Sequence, residues 1–484
     1  MSFNLSDLQL LIPELYLLGT LCVLLLVDVF LDQKQRYVTH WLSIAVLVVT
    51  IFLVWNGQQT FPNTQTAFNG SFVHDPIAAL LKIFILLTTI IIFFYSKHYL
   101  IDRQLFIGEY YMLCGFAVLG MMILVSAGSL VTVYLGLELL TLSSYALVAL
   151  NRDSGFSSES AIKYFVLGAL ASGILLYGMS MIYGATGTLD LAKIQTVVQV
   201  ANKDIWPLLA FGLVFLVVGI AFKLSAAPFH MWLPDVYHGS PTAVTIFIGS
   251  ASKLAAFGMA YRLLGGAMGE MGHQWQPMLA FLAALSLVIG NMFALVQTNL
   301  KRLLAYSTIS HVGFLLLGLI NGTQAGYAAA AFYTISYALM ATVAFGMVML
   351  LARPGFEAEN IEDFKGLNQR QPWYAFLMLL TMASLAGLPP LLGFFAKFMV
   401  LKAVIQSGHW WLAIVAIVFA VIGSFYYLRV IKVMYFDAPD EHLKADLPLD
   451  RAFRFVLSVN GFALLMLGLF AEPLLAWCNQ VFGV

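Results

Sequence analysis

Long apolar stretches, each close to the length of a membrane crossing, follow one another along the whole chain and are separated by short polar connections. They lie near 8–31, 39–56, 72–95, 107–127, 128–150, 159–184, 206–226, 241–264, 276–297, 302–320, 326–352, 374–406, 410–436 and 452–477. A span of the hydrocarbon core takes about 20 helical residues, so the pattern predicts an all-α polytopic membrane protein with about fourteen transmembrane helices. The stretch 374–406 is too long for one straight span and contains Gly387-Leu388-Pro389-Pro390, so a discontinuous helix is expected there. A second break is expected in 207–241, where Pro228 lacks an amide hydrogen and its ring meets the carbonyl of Leu224, just after Lys223. Broken helices at membrane depth line polar cavities. Here His230, Trp232 and Asp235 follow the break, between Pro228, Pro234 and Pro241, and predict a re-entrant segment.

Cations mark the two sides. Loops after the odd-numbered spans hold Lys34, Arg36, Lys97, Arg103, Arg152, Lys301, Arg302, Arg353, Lys365, Arg370, Arg429, Lys432, Lys444, Arg451 and Arg454, whereas the alternate loops hold only Lys193, Lys203, Arg262 and Lys402. The positive-inside rule then predicts that the odd loops are cytoplasmic and both termini periplasmic. The longest polar connections, 353–373 and 437–451, fall on the cytoplasmic side and read as solvated loops rather than docking segments. The first apolar run has no cationic leader before it and reads as a retained helix.

Inside the spans or at their edges stand Lys82, Lys163, Lys223, Lys253 and Lys397, with Glu138 as the carboxylate nearest a span centre. An ammonium in hydrocarbon costs roughly 3 kcal/mol, so such groups face a protein interior or a wet cavity and are functional candidates. Glu138 has no cation three or four residues away, which predicts an ion pair with another helix. Lys253 has Ser250 and Ser252 close by, and His311 follows Ser307, Thr308 and Ser310, hydroxyls suited to carrying water. For Lys82, snorkelling or a packing salt bridge stands level with transport, and Lys163 forms an i,i+4 pair with Glu159 that fits a structural role equally well. His311 alone would read as a satisfied core histidine; its hydroxyl neighbours tilt it toward a proton relay. Glu14 and Asp28 in the first span read as interfacial or bonded to a neighbouring helix.

Composition adds exclusions. Of 484 residues 61% are hydrophobic and 10% charged, too apolar for a soluble core, and the balanced net charge argues against nucleic acid. Cys22, Cys114 and Cys478 have no metal-ligand spacing, and no phosphate loop, dinucleotide fingerprint or cysteine cluster points to a cofactor in this chain. Lys223 precedes its break and Lys397 follows its own. That reversal suggests two inverted five-helix repeats, 107–264 and 276–436, between three N-terminal helices in 1–106 and a C-terminal helix in 452–484, all in one membrane domain. Inverted repeats place ion sites at discontinuous helices near the midplane.

The segments FKLSAAPFHMWLPDVYHGSP, YLGLELLTLSSYALV, TNLKRLLAYSTISHVGF and SLAGLPPLLGFFAKF resemble the antiporter-like membrane subunits of proton-pumping NADH:quinone oxidoreductase, complex I. Within that family DVYHGSP, lysine rather than glutamate at 397, and the lack of sequence for a long lateral helix resemble the N-type members rather than the M- or L-type. The resemblance implies a Glu138–Lys223 pair, a central relay through Lys253 and His311, and a terminal site at Lys397, with Lys163, His230 and Lys82 as possible accessories. It also implies a bacterial inner membrane location and M-like, K-like, L-like, A/J-like and H-like membrane partners. NADH, FMN, iron–sulfur clusters and quinone are then expected in partner subunits, and no redox centre in this chain. Burial disfavours a charged lysine and a nearby carboxylate favours it, so moving Glu138 relative to Lys223 would load or unload a proton. The alternative is a subunit of an Mrp-type sodium/proton antiporter, which is similar in fold and relay. A scaffold whose charges only cement helices is a third reading.

Overall fold

The computed structural model describes residues 5–201, 204–439 and 450–484. Among the described residues thirteen helices are long and apolar enough to cross a membrane. They include α1 (Ile12–Val29), α2 (Tyr37–Thr60), α3 (Pro76–Asp102), α4 (Gly108–Val125), α5 (Leu130–Val148), α6 (Gly155–Thr186) and α7 (Trp206–Leu224). A short helix α8 (Trp232–Gly239) leads into α9 (Thr242–Gly249) and α10 (Ala251–Ala260), which form one span together with a π-helical turn at Tyr261–Ala267. Then come α11 (Gly272–Leu295), α12 (Leu300–Ile320) and α13 (Gln324–Leu351), followed later by α16 (Trp410–Phe436) and α17 (Arg451–Leu469). The remaining expected span is split, as its prolines predict, into α14 (Pro372–Ala386) and α15 (Leu392–Gln406). A two-stranded antiparallel hairpin, β1 (Gln65–Ala67) and β2 (Phe72–His74), precedes α3.

The chain divides into two compact units. The first comprises 1–90, 106–224 and 251–279, and the second 91–105, 225–250 and 280–484. In the first, α4 and α5 touch backbone to backbone: a Cβ on Gly120 would lie 2.6 Å from Leu140 N and 2.8 Å from Gly136 O. Small residues permit this approach, and dispersion rather than water exclusion holds helices together in lipid. A Cβ on Gly178 of α6 would likewise lie 2.8 Å from Gly212 O, which seats α7. In the second unit α12 and α13 are almost wholly buried all round, the pattern of a helix surrounded by others.

The connection after α13 departs from the expected solvated loop. Ala358, Ile361 and Phe364 are buried, Leu300 N donates to Glu359 O at 2.6 Å, and Ile361 N donates to Thr298 O at 3.0 Å. Glu357 accepts from Tyr99 Oη at 2.7 Å and Thr242 Oγ1 at 2.5 Å and pairs with Arg103 at 2.5 Å. The Glu357 charge is spent on anchoring. Most of the second long polar connection, 440–449 with Lys444, lies outside the described residues, as does Lys203.

Candidate functional site

In the first unit the break begins where expected. Lys223 occupies the last turn of α7, and the next residue but one, Ser225, takes φ +71°, a left-handed conformation that stops the helix. The lysine is buried, and Nζ donates to Thr141 Oγ1 of α5 at 3.3 Å. Glu138 lies one turn before Thr141 on the same face and acts on Lys223 electrostatically. It forms no direct ion pair among the described residues, and its Oε1 is shielded without a hydrogen-bond partner. The expected contact pair is therefore a spaced pair with a threonine hydroxyl on the lysine. A cavity of about 10 Å³ beside Thr141, Ser172 and Lys223 is at the lower limit for one water.

Lys253, on the first turn of α10 and 2% exposed, donates through Nζ to Leu224 O at 2.9 Å. The last carbonyls of a helix have no intrahelical partner, and in hydrocarbon each such group costs several kcal/mol. Lys253 satisfies one of them at the end where the helix dipole is negative. The irregular residue Ser250 (φ −121°, ψ −74°) separates α9 from α10 just before this lysine, and its hydroxyl bonds to Ile246 O at 2.5 Å. That hydroxyl is turned to its own helix.

The accessory candidates separate clearly. Lys82 forms an ion pair with Glu14 at 2.5 Å, both side chains 5% exposed or less, and lies over the Phe72 ring 4.9 Å from its centroid. Glu14 is thus a buried partner rather than an interfacial group. Burial first, and the Lys82 charge second, push the imidazole of His74 in β2 below its ordinary value. Lys163 pairs with Glu159 at 2.8 Å on an exposed helix face, as the i,i+4 spacing predicts. His230 is partly buried in the connection before α8 and makes no ion pair among the described residues.

The second unit repeats the device with the order reversed. α14 ends at Gly387, whose φ of +89° suits glycine, and a Cβ there would come within 2.8 Å of Lys397 Cδ. From α15 Lys397 Nζ donates to Leu385 O and Ala386 O, both at 2.9 Å, the two carbonyls released by the break. The ammonium lies 5.1 Å from the centroid of the Phe314 ring on α12. One turn before Phe314, His311 is buried between two phenols: Nδ1 is 2.6 Å from Tyr333 Oη and Nε2 is 3.0 Å from Tyr427 Oη. Tyr427 Oη also bonds to Ser307 Oγ, Thr308 to Tyr337 Oη at 2.7 Å, and Ser310 accepts from Asn291 at 2.8 Å. The expected water-carrying hydroxyls are bonded to protein groups, and the two tyrosines flanking His311 complete a chain the sequence reading did not contain.

Broken membrane-length helices with lysines on the freed carbonyls are the architecture of an ion-translocating membrane protein of the antiporter type. The family described as "NADH:quinone oxidoreductase/Mrp antiporter, TM" matches residues 127–423. The chain is 51% identical to NADH-quinone oxidoreductase subunit N of Thioalkalivibrio sulfidiphilus, over 98% of each chain. It is similar to a chain in respiratory complex I from Thermus thermophilus with bound aureothin, with TM-score 0.81, 31% identity and coverage of 96% and 98%. A chain of the Mrp complex from Dietzia sp. shares the fold, with TM-score 0.84 at 19% identity over 98% and 97%. The chain belongs to the subunit N family of NADH-quinone oxidoreductase, within the antiporter-like membrane proteins.

Proposed function

We propose that the chain translocates protons as a non-redox membrane subunit of NADH:quinone oxidoreductase in the bacterial inner membrane, both termini periplasmic. The observation that carries this reading is the capture of freed helix carbonyls by a lysine in each unit, the buried Lys253 on Leu224 and the half-buried Lys397 on Leu385 and Ala386. A lysine so placed is stable as an ammonium while it holds the carbonyls, and releases a proton when water or a shifted helix takes them over. Glu138 sets the charge opposite Lys223, with Thr141 between protonation events as donor or acceptor. His311, held by two phenols, passes a proton by exchanging which ring nitrogen carries it. Lys82 with Glu14, Lys163 and His230 are accessory, and the exposed Lys163 pair fits anchoring better than transport.

NADH, FMN, iron–sulfur clusters and quinone belong in this reading to partner subunits, and the M-, K-, L-, A/J- and H-like membrane subunits are its neighbours. The reversed placement of Lys223 and Lys397 about their breaks supports two inverted repeats, 107–264 and 276–436. Full-length identity of 51% to a subunit N protein favours this over the Mrp antiporter, whose likeness is one of fold. Glu138→Gln, Lys223→Met and the double variant, each measured as proton uptake per assembled complex in vesicles, test the spaced pair. Each single change is expected to reduce pumping strongly, and the double to fall no further than about the worse single. Fully additive losses would sever Glu138 from Lys223.

A further inference from the structure

At one end of the first unit, the last turn of α1, the start of α4 and the end of α5 line a cavity of about 570 Å³ that none of the proton-carrying residues touches. Its lining changes character along the helices. Leu25, Leu113 and Phe116 form the apolar side, and Phe116 lies about 10 Å along α4 from Glu109 at the charged rim. Asp28, Arg36, Glu109 and Arg152 form that rim. The helix ends that meet here carry the cations that the positive-inside rule assigns to the cytoplasmic side.

Three of the four rim charges are unspent. No hydrogen bond or ion pair joins the side chains of Arg36, Glu109 or Arg152 to any described residue, and Arg36 Nε is shielded from solvent without a partner. Asp28 accepts one bond, from Thr39 Oγ1 at 2.5 Å, and packs so tightly on Gly108 that a Cβ there would lie 1.8 Å from its Oδ2. A shielded Nε–H without an acceptor is costly, and a phosphate diester is the anion that the planar fork of a guanidinium fits. Two cations and two anions leave the rim neutral, so a purely anionic headgroup would face uncompensated carboxylates. A primary ammonium supplies N–H donors to Asp28 and Glu109; a quaternary choline has none. An apolar wall below a charged rim at the membrane boundary accepts an acyl chain beneath a headgroup.

We propose that this cavity binds one phosphatidylethanolamine, its phosphate on Arg36 and Arg152, its ammonium on Glu109 and Asp28, and an acyl chain along Leu25, Leu113 and Phe116. The test uses the whole purified complex, exchanged into phosphatidylcholine vesicles that contain isotopically labelled phosphatidylethanolamine or phosphatidylglycerol. Lipid retained per complex after gentle re-solubilisation is counted by mass spectrometry. The parent complex should retain at least one more labelled phosphatidylethanolamine than Arg36→Gln/Arg152→Gln, whose apparent affinity for that lipid should be about tenfold weaker. Glu109→Gln should shift preference toward phosphatidylglycerol. If the glutamine pair fails to assemble, Arg36→Lys/Arg152→Lys keeps the charge and should still weaken retention, through loss of the fork geometry. Equal retention of the labelled ethanolamine lipid by parent and arginine variants would overturn the proposal, as would parent complex that does not distinguish it from phosphatidylglycerol. A neighbouring subunit resolved in the cavity of the assembled complex would overturn it as well.

Discussion

Glu14 and Lys82 show how much a single contact changes the meaning of a residue. Each charge alone inside the membrane would be expensive; at 2.5 Å they neutralise one another as an ion pair between α1 and α3. Removing one member leaves the other buried and unpaired, which costs about 3–5 kcal/mol. Glu14→Gln or Lys82→Met alone should therefore lower the yield of assembled complex, and the double variant should recover it, as read on native gels of solubilised membranes. A double variant that assembles no better than the worse single would show that the pair is not a mutual anchor. The lysine was visible in the sequence, with a packing salt bridge among its readings, but its partner was not. Glu14 stands far from Lys82 in the chain, and its position allowed either an interface or a bond to a neighbouring helix without saying which helix. The phenols on His311 were hidden for a different reason: in a chain with 21 tyrosines nothing local distinguishes Tyr333 and Tyr427.

At the scale of elements, interruptions with a covalent cause were legible and those made by packing were not. Pro228 and Pro389-Pro390 announce their breaks because a missing amide and a ring clash act whatever surrounds them. The irregular turn at Ser250 and the π-helical turn at Tyr261–Ala267 carry no proline, and that turn contains Arg262, which pairs with Asp75 at 2.6 Å. The 353–373 connection misled because its charges resemble those of a solvated loop until their partners are known. Its attachment has a pH signature. Burial alone would raise the Glu359 carboxyl, but the His238 hydrogen bond and the charges of Lys301 and His238 outweigh burial and hold it below its ordinary value. A depressed carboxylate stabilises the attached loop above its unfolded value of about 4.3 and loses that contribution as pH falls through the folded value. Amide exchange at 359–364, corrected for intrinsic rates, should be slow at neutral pH and quicken below about pH 4, with the dependence flattened in Glu359→Gln. Exchange that stays equally slow in both proteins across that range would detach the loop from Glu359.

For the whole molecule, the apolar pattern sufficed to give the class, because among the described residues thirteen spans of membrane length and one split span leave little to long-range contacts. Orientation rests on lysine and arginine asymmetry and is expected to place Asn360 in the cytoplasm and Gln65 outside it. Reporter fusions at the two positions check this, and a periplasmic signal at Asn360 would reverse the molecule. The central claim is that a lysine holding the carbonyls of a helix break must give up its proton, and Lys397 exposes it best because both its carbonyl acceptors are known. Arginine at 397 keeps the charge and can reach the same carbonyls, but it does not deprotonate. The decisive measurement is proton uptake by vesicles holding intact complex, normalised to assembled protein, for Lys397→Arg, Lys397→Glu and Lys397→Ala. The account predicts normal assembly with pumping highest in the parent, intermediate for Lys397→Glu and lowest for Lys397→Arg and Lys397→Ala. Pumping by Lys397→Arg close to that of the parent would contradict it.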